Sequence, residues 1–373
     1  MRRALFFFII LGSCIDPYQP PELSSSAPFL IVDGFINTSG TSKLTLSWSQ
    51  NVLDINTPNF ETQATVWIED EQGVVLNLIS DSQGNYILPS QPLPSTNYRL
   101  MILTSTSRQF QSDFVPVLQT PPIDSVTWHL TDDLGVAFTV STHDDLTPEG
   151  LYKWTFEETW EYRSAFGASV EFDPNTKVVK PRIENIYQCW RTEGNKDILV
   201  ESTTRFKENK VSKFKLATFL QNSEKAKYKY STLVKQQAIS KEAFNYWKQV
   251  RQTTENIGTL FGPVPYKVEG NIHSSSNPNE FAVGYFSISS VSTQRASVSF
   301  NQLPTPIQYV THYKDCEAFE ISLELVNFFT GPYLLIDPIL VGNGPAISGY
   351  RYGSLFCVDC RHVGGTTTKP DFW

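Results

Sequence analysis

Beyond residue 11 the chain has no apolar run of membrane-spanning length. A bilayer-crossing helix needs roughly 20 consecutive apolar residues, so no span is expected there. Catalytic signatures are missing too: no Gly-x-Ser-x-Gly elbow, no His-Glu-x-x-His, no Walker loop and no dinucleotide-binding glycine fingerprint. The five histidines, His129, His143, His273, His312 and His362, are scattered, with no pair at the helical spacing of a metal site. The chain is therefore expected not to be an enzyme, and to carry no cofactor and no metal. Basic residues are the minority, 30 Lys and Arg against 38 Asp and Glu, and a net charge of −8 speaks against nucleic acid as a partner. There are no internal repeats.

What is present begins with Met1-Arg2-Arg3, a short apolar run over 4–11, and Leu11-Gly12-Ser13-Cys14. A basic start, an apolar core and small residues before a cysteine describe a bacterial lipoprotein signal, so 1–13 is expected to be removed and Cys14 to carry the lipid. From 15 to 28 proline and serine deny the backbone both helix and ladder, which makes 14–28 a lipidated tether. The rest is long enough for two domains. Aromatics at 13%, with 23 prolines and 20 glycines, describe many short strands joined by turns. Charge is uneven: 176–251 holds 17 Lys and Arg against 7 Asp and Glu, and the remainder holds 13 against 31. Such a basic segment is a docking face for an acidic partner or a lipid surface, or simply a solvated, solubilising one.

Strand composition recurs over 29–35, 43–48, 64–69, 74–80 and 97–103, separated by Gly, Pro and Ser turns. This predicts an immunoglobulin-like β-sandwich over 29–117. The turn-rich stretch 70–86 also resembles the hairpin of carboxypeptidase-regulatory-like modules. Pro121-Pro122 marks a boundary, and a larger β-rich domain over 118–373 follows, with strands expected at 125–130, 135–142, 151–162, 184–191, 203–208, 214–220, 268–272, 281–289, 296–300 and 318–327. It has one helical insertion, near 241–257. Ser240 is its N-cap, Glu242 lies in its first turn, Ile239 and Phe244 form a hydrophobic staple, and Phe244, Trp247, Val250 and Thr254 form a stripe. That stripe is read as core packing in preference to a ligand platform. The final Phe372-Trp373 is expected to fold back onto the body.

With Cys14 set aside, Cys189, Cys316, Cys357 and Cys360 remain, an even number that reads as two disulfides in an exported protein. Three connectivities are open, and a zinc site is the alternative, although a single Cys-x-x-Cys supplies only two ligands. His143-Asp144-Asp145 with Glu149 offers calcium-type oxygens but lacks an EF-hand spacing, so a polar turn is preferred. The strand around 151–162 interleaves aromatics with Glu157, Glu158 and Glu161. Trp154, Glu157, Glu158 and Trp160 are the candidate ligand face, where indoles stack on sugar rings and carboxylates accept hydroxyl hydrogen bonds. The plainer reading places Trp154, Phe156 and Trp160 in the core, with Glu158 as the member of that face that does not fit.

A wider pattern lies in Tyr230-Ser231-Thr232-Leu233-Val234-Lys235-Gln236-Gln237-Ala238-Ile239-Ser240, Phe244-Asn245-Tyr246-Trp247 and 254–261. It continues in Gly270-Asn271-Ile272-His273, Asn277-Pro278-Asn279-Glu280, Gly284-Tyr285-Phe286 and the tail from Cys357-x-Asp359-Cys360 to Phe372-Trp373, and upstream in 123–126, 157–160 and Cys189-Trp190. In these residues the chain resembles a Bacteroidota lipoprotein family, domain of unknown function 4249. Ser274 and Gly262 depart from its usual cysteine and aspartate. The resemblance implies no activity. It implies an outer-membrane location beside TonB-dependent transporters, in an arrangement similar to SusD-like proteins. The expected function is accordingly a non-catalytic, lipid-anchored accessory of a TonB-dependent β-barrel transporter that captures an unidentified ligand. A cell-surface adhesin is the alternative, and a surface glycan hydrolase acting through Glu157, Glu158 or Glu161 is third. Whether the body faces the cell exterior or the periplasm is left open.

Overall fold

The structure is a computed structural model and describes residues 28–50, 58–255, 268–278, 280–305 and 308–373. Cys14, the signal segment and all of the tether up to residue 27 lie outside the described residues, as does Gly262. The fold class is the expected one: mainly β, an immunoglobulin-like sandwich followed by a larger β-rich body with a helical insertion. Among the described residues no helix is long and apolar enough to cross a membrane.

Period-two alternation builds the first sheet of the sandwich. Strand Leu30–Asn37 buries Leu30, Val32 and Ile36, and its antiparallel partner Ser42–Trp48 buries Leu44 and Leu46. The second sheet runs through Thr65–Asp70, Asn97–Leu103 and Gln109–Ser112 and turns Val66, Ile68, Leu100, Ile102 and Phe110 toward the first. One apolar core results.

The chain later returns to this sandwich. Ile272–Ser274 pairs with Gln109–Ser112, and Ala282–Val283 runs parallel to Leu30–Asn37. Ile288–Ser289 slots between Leu30–Asn37 and Val115–Leu118, parallel to both, and so joins the two sheets at one edge. A division at 117/118 does not describe this return. Close backbone approach fixes it: a Cβ on Gly270 would lie 1.7 Å from the Gly284 carbonyl oxygen, and one on Gly284, at φ +143°, would lie 2.2 Å from that of Val32. Only glycine fits either position.

The second unit centres on a five-stranded sheet. Gln188–Gly194 and Leu199–Ser202 flank one edge of Leu151–Arg163, whose other edge pairs with Lys229–Ala238 and then Val291–Ser299. A three-stranded sheet, Ile123–Leu130, Gly135–His143 and Lys210–Leu220, packs on its inner face around Phe138, Trp154, Phe219 and Tyr230. Helix α1, Lys241–Glu255, lies between the opposite face and the sandwich. The Ser240 hydroxyl accepts the Ala243 N–H at 3.1 Å, as an N-cap should.

Several local expectations change, and the strand expected over 281–289 resolves into Ala282–Val283 and Ile288–Ser289. Residues 203–208 form a turn, because the Phe206 N–H bonds back to the Thr203 carbonyl. The strand expected over 318–327 is only Phe319–Ser322. Its sheet is completed by an unforeseen hairpin, Tyr333–Leu340 with Ile347–Ser354. Pro338 sits inside that hairpin and hid it, and the register shifts between Leu335 and Pro338 to accommodate the missing N–H.

Candidate functional site

The strand Leu151–Arg163 carries every residue of the expected ligand face, and its alternation splits them. Trp154, Phe156 and Trp160 turn inward. Trp154 is fully buried, stacks on Phe214 at 4.7 Å between centroids, and donates from Nε1 to Gln236 Oε1 at 2.8 Å. Trp160 is 4% exposed and lies beneath the Lys225 ammonium, 4.8 Å from its centroid. Neither indole is available to stack on a solute, and the candidate platform is corrected to core.

Glu158 shares this inward face. It forms an ion pair with Lys225 and accepts a hydrogen bond from the Tyr230 hydroxyl at 2.6 Å. Burial, reinforced by the Glu158 charge, pushes the Tyr230 hydroxyl far above its ordinary pKa, so Tyr230 remains a donor. The residue that did not fit the apolar pattern is a half-buried carboxylate with its charge and hydrogen-bond partners supplied.

Glu157 and Glu161 emerge on the opposite side. Glu157 pairs with Lys235. Glu161 is held by Arg163 at 3.1 Å and Gln188 at 2.8 Å, and Trp373 donates to it at 3.4 Å. The C-terminal aromatics thus settle on the outer face, with the Arg295 guanidinium 3.4 Å from the Phe372 centroid. Phe372 nevertheless stays 43% exposed. Glu158 is separated by the sheet from Glu157 and Glu161, and each of the three is paired with a cation, so these three do not offer a pair of free carboxyls to a common cleft.

The cysteines settle as Cys189–Cys360 and Cys316–Cys357. The first ties the C-terminal segment to the edge strand Gln188–Gly194, where Thr366 also pairs with Trp190. Around residue 143, His143 Nδ1 lies 2.8 Å from Asp124, whose carboxylate raises the imidazole pKa by accepting its hydrogen bond. Asp144 accepts the Leu146 N–H and the Thr147 hydroxyl, the latter holding its carboxyl below the ordinary range. The Asp144 oxygens are thus spent on the turn itself. Among the described residues no group of three His, Cys, Asp or Glu side chains is arranged to hold a metal.

A cavity lies elsewhere, at the junction of the two units. Val117 and Leu118 at the end of one sandwich strand, the turn after His143 and the start of helix α1 line a cleft of about 750 Å³. Leu118, Ile239 and Phe244 give it apolar walls, and Asp144, Glu149 and Lys241 stand among them. That volume and mixture suit a small organic solute. Ile239 and Phe244, read from sequence as a helix staple, thus also line a cavity. Helix α1 is covered on two sides, and Ala243 and Tyr246 are its most buried side chains, one step round from the expected stripe. Beneath it Lys153 reaches the Trp247 ring at 3.5 Å, and burial pushes its amine down to about 8. Alternation alone would have passed Lys153 as a solvent-facing residue.

The shared motif residues have mainly structural duties. Asn271 accepts the Phe286 N–H at 2.8 Å and donates to the Phe286 carbonyl at 2.9 Å, which locks the returning segment. Glu280 pairs with Arg108, whose guanidinium lies 4.0 Å from the Trp48 centroid.

A family model described as Domain of unknown function (DUF4249) matches residues 15–295. None of the curated proteins matches. Among solved structures, a cytokine receptor complex is similar at 13% identity over 56% of this chain and 90% of that one, with a TM-score of 0.19. A segment of two fibronectin type-III domains from chicken tenascin is similar at 10% identity over 57% and 91%, with a TM-score of 0.16. At these TM-scores the likeness carries no argument about function.

Proposed function

Since the chain belongs to the DUF4249 family, we propose that it is a lipid-anchored, non-catalytic accessory of a TonB-dependent outer-membrane transporter, holding a small solute for that partner. The observation that carries the reading is the junctional cleft of about 750 Å³, walled by both units. A crevice between two β units, lined by both apolar and polar side chains, is a place where a small solute can be held. The commitment of Glu157, Glu158 and Glu161 to cations supports capture over glycosidic hydrolysis, which needs two free carboxyl groups about 5–10 Å apart. The lipoprotein signal ending at Cys14 supports the anchor.

Affinity purification from detergent-solubilised outer membranes tests this. A β-barrel partner is expected to copurify with the native chain, and a Cys14→Ser variant is expected in the soluble fraction without it. Recovery of the native protein with no barrel would overturn the reading.

A further inference from the structure

Two adjacent glutamines in Lys229–Ala238 meet different fates. Gln236 is fully buried and uses both ends of its amide: Oε1 accepts from Trp154, and Nε2 donates to the Pro121 carbonyl and the Thr142 hydroxyl, each at 2.9 Å. Gln237 points to the other face of the sheet. It is 5% exposed, yet its Nε2 is buried and has no hydrogen-bond partner among the described residues. Buried amide donors are almost always paired, so an orphan of this kind calls for an acceptor.

Gln237 lines a groove of about 380 Å³, separate from the junctional cleft. One wall is the first sandwich hairpin, with Phe35 opposite Lys43 in register. The other is the outer face of the central sheet, where Thr155, Lys235 and Thr293 form the row next to Gln237. The Ser39 hydroxyl clasps the two walls by accepting the Val291 N–H at 2.9 Å. The charged groups near the groove are Lys43, the Lys235–Glu157 pair and Lys153. Lys153 adjoins Gln237 in register, and Asp33 acts on it electrostatically.

The Gln237 amide nitrogen and the Lys43 ammonium can only donate, the hydroxyls of Thr41, Thr155 and Thr293 can donate or accept, and the nearby Glu157 carboxylate is already held by Lys235. A carboxylate ion is acceptor-only and complements such a set, whereas a neutral polyol brings its own donors. We propose that this groove binds the carboxylate of a small hydrophilic solute, with Gln237 Nε2 and Lys43 Nζ as its principal donors. The site stands on its own geometry and does not depend on the transporter reading.

Isothermal titration of the intact protein with sodium glucuronate, and with glucose as the uncharged counterpart, tests it. Glucuronate is expected to bind saturably and at least about tenfold more tightly than glucose, the scale of one charge-assisted hydrogen bond. Gln237→Leu and Lys43→Met are each expected to weaken glucuronate about tenfold. Lys43 is exposed on its strand, so its variant keeps the test decisive if Gln237→Leu does not fold. Absence of saturable glucuronate binding, equal binding of glucose, or binding indifferent to both substitutions would overturn the proposal. None of those outcomes alters whether a barrel copurifies.

Discussion

At Glu158, removing one carboxylate strands two partners. Glu158→Ala leaves the Lys225 ammonium unpaired and the buried Tyr230 hydroxyl without its acceptor. Denaturant unfolding should show a loss of about 2–3 kcal/mol, toward the lower end for a broken buried pair because Lys225 retains some solvent. Glu158→Gln keeps an acceptor for Tyr230 and should lose less. His143 gives a pH signature. Its folded pKa is raised by Asp124, so the pair's stabilisation is fully present below the unfolded value near 6.5 and is lost as pH rises through the folded value. Histidine NMR titration should find His143 above that ordinary value and returning to it in Asp124→Asn. Much at this scale was legible: alternation placed Trp154 and Trp160 inside and singled out Glu158. The partners Lys225 and Tyr230 come from 67 and 72 residues away, which no local pattern reports. The difference between Gln236 and Gln237 was equally hidden, since it depends on what lies across each face of the sheet.

Elements with local determinants were the readable ones. The helix was announced by Ser240 and its staple, and it begins at Lys241 as that cap requires. Five sandwich strands were given by composition, one of them by clean alternation, and strand Asn97–Leu103 matches its expected span, whereas Asn85–Leu88, Gln109–Ser112 and Val115–Leu118 were not expected. The three short strands at Ile272–Ser274, Ala282–Val283 and Ile288–Ser289 have only two or three residues each and are held by distant partners. Their stability comes from docking, and the glycines that permit docking carry no periodic signal. Gly284→Ala brings a Cβ against the Val32 carbonyl at positive φ, and a loss on the order of 3 kcal/mol or more is expected. Hydrogen exchange should show the protection loss concentrated at Ile36 and Thr38, whose N–H groups donate to Ser287 and Ser289.

Across the whole molecule, covalent stapling is confined to one part. Both disulfides lie at Cys189 and beyond, and the described residues of the sandwich contain none. The bridges span 171 and 41 residues, for which chain entropy gives about 5 and about 4 kcal/mol. Calorimetry with and without reductant should therefore lower the melting of the disulfide-bonded body while the sandwich transition moves little. Even cysteine parity foretold two bonds, but pairing required knowing that residue 360 reaches the strand at 188–194. The insertion of Ile288–Ser289 between Leu30–Asn37 and Val115–Leu118 also has a temporal side. The first hairpin lies far upstream of Ile288, so the sandwich keeps an open seam until the intervening body is in place and that strand docks.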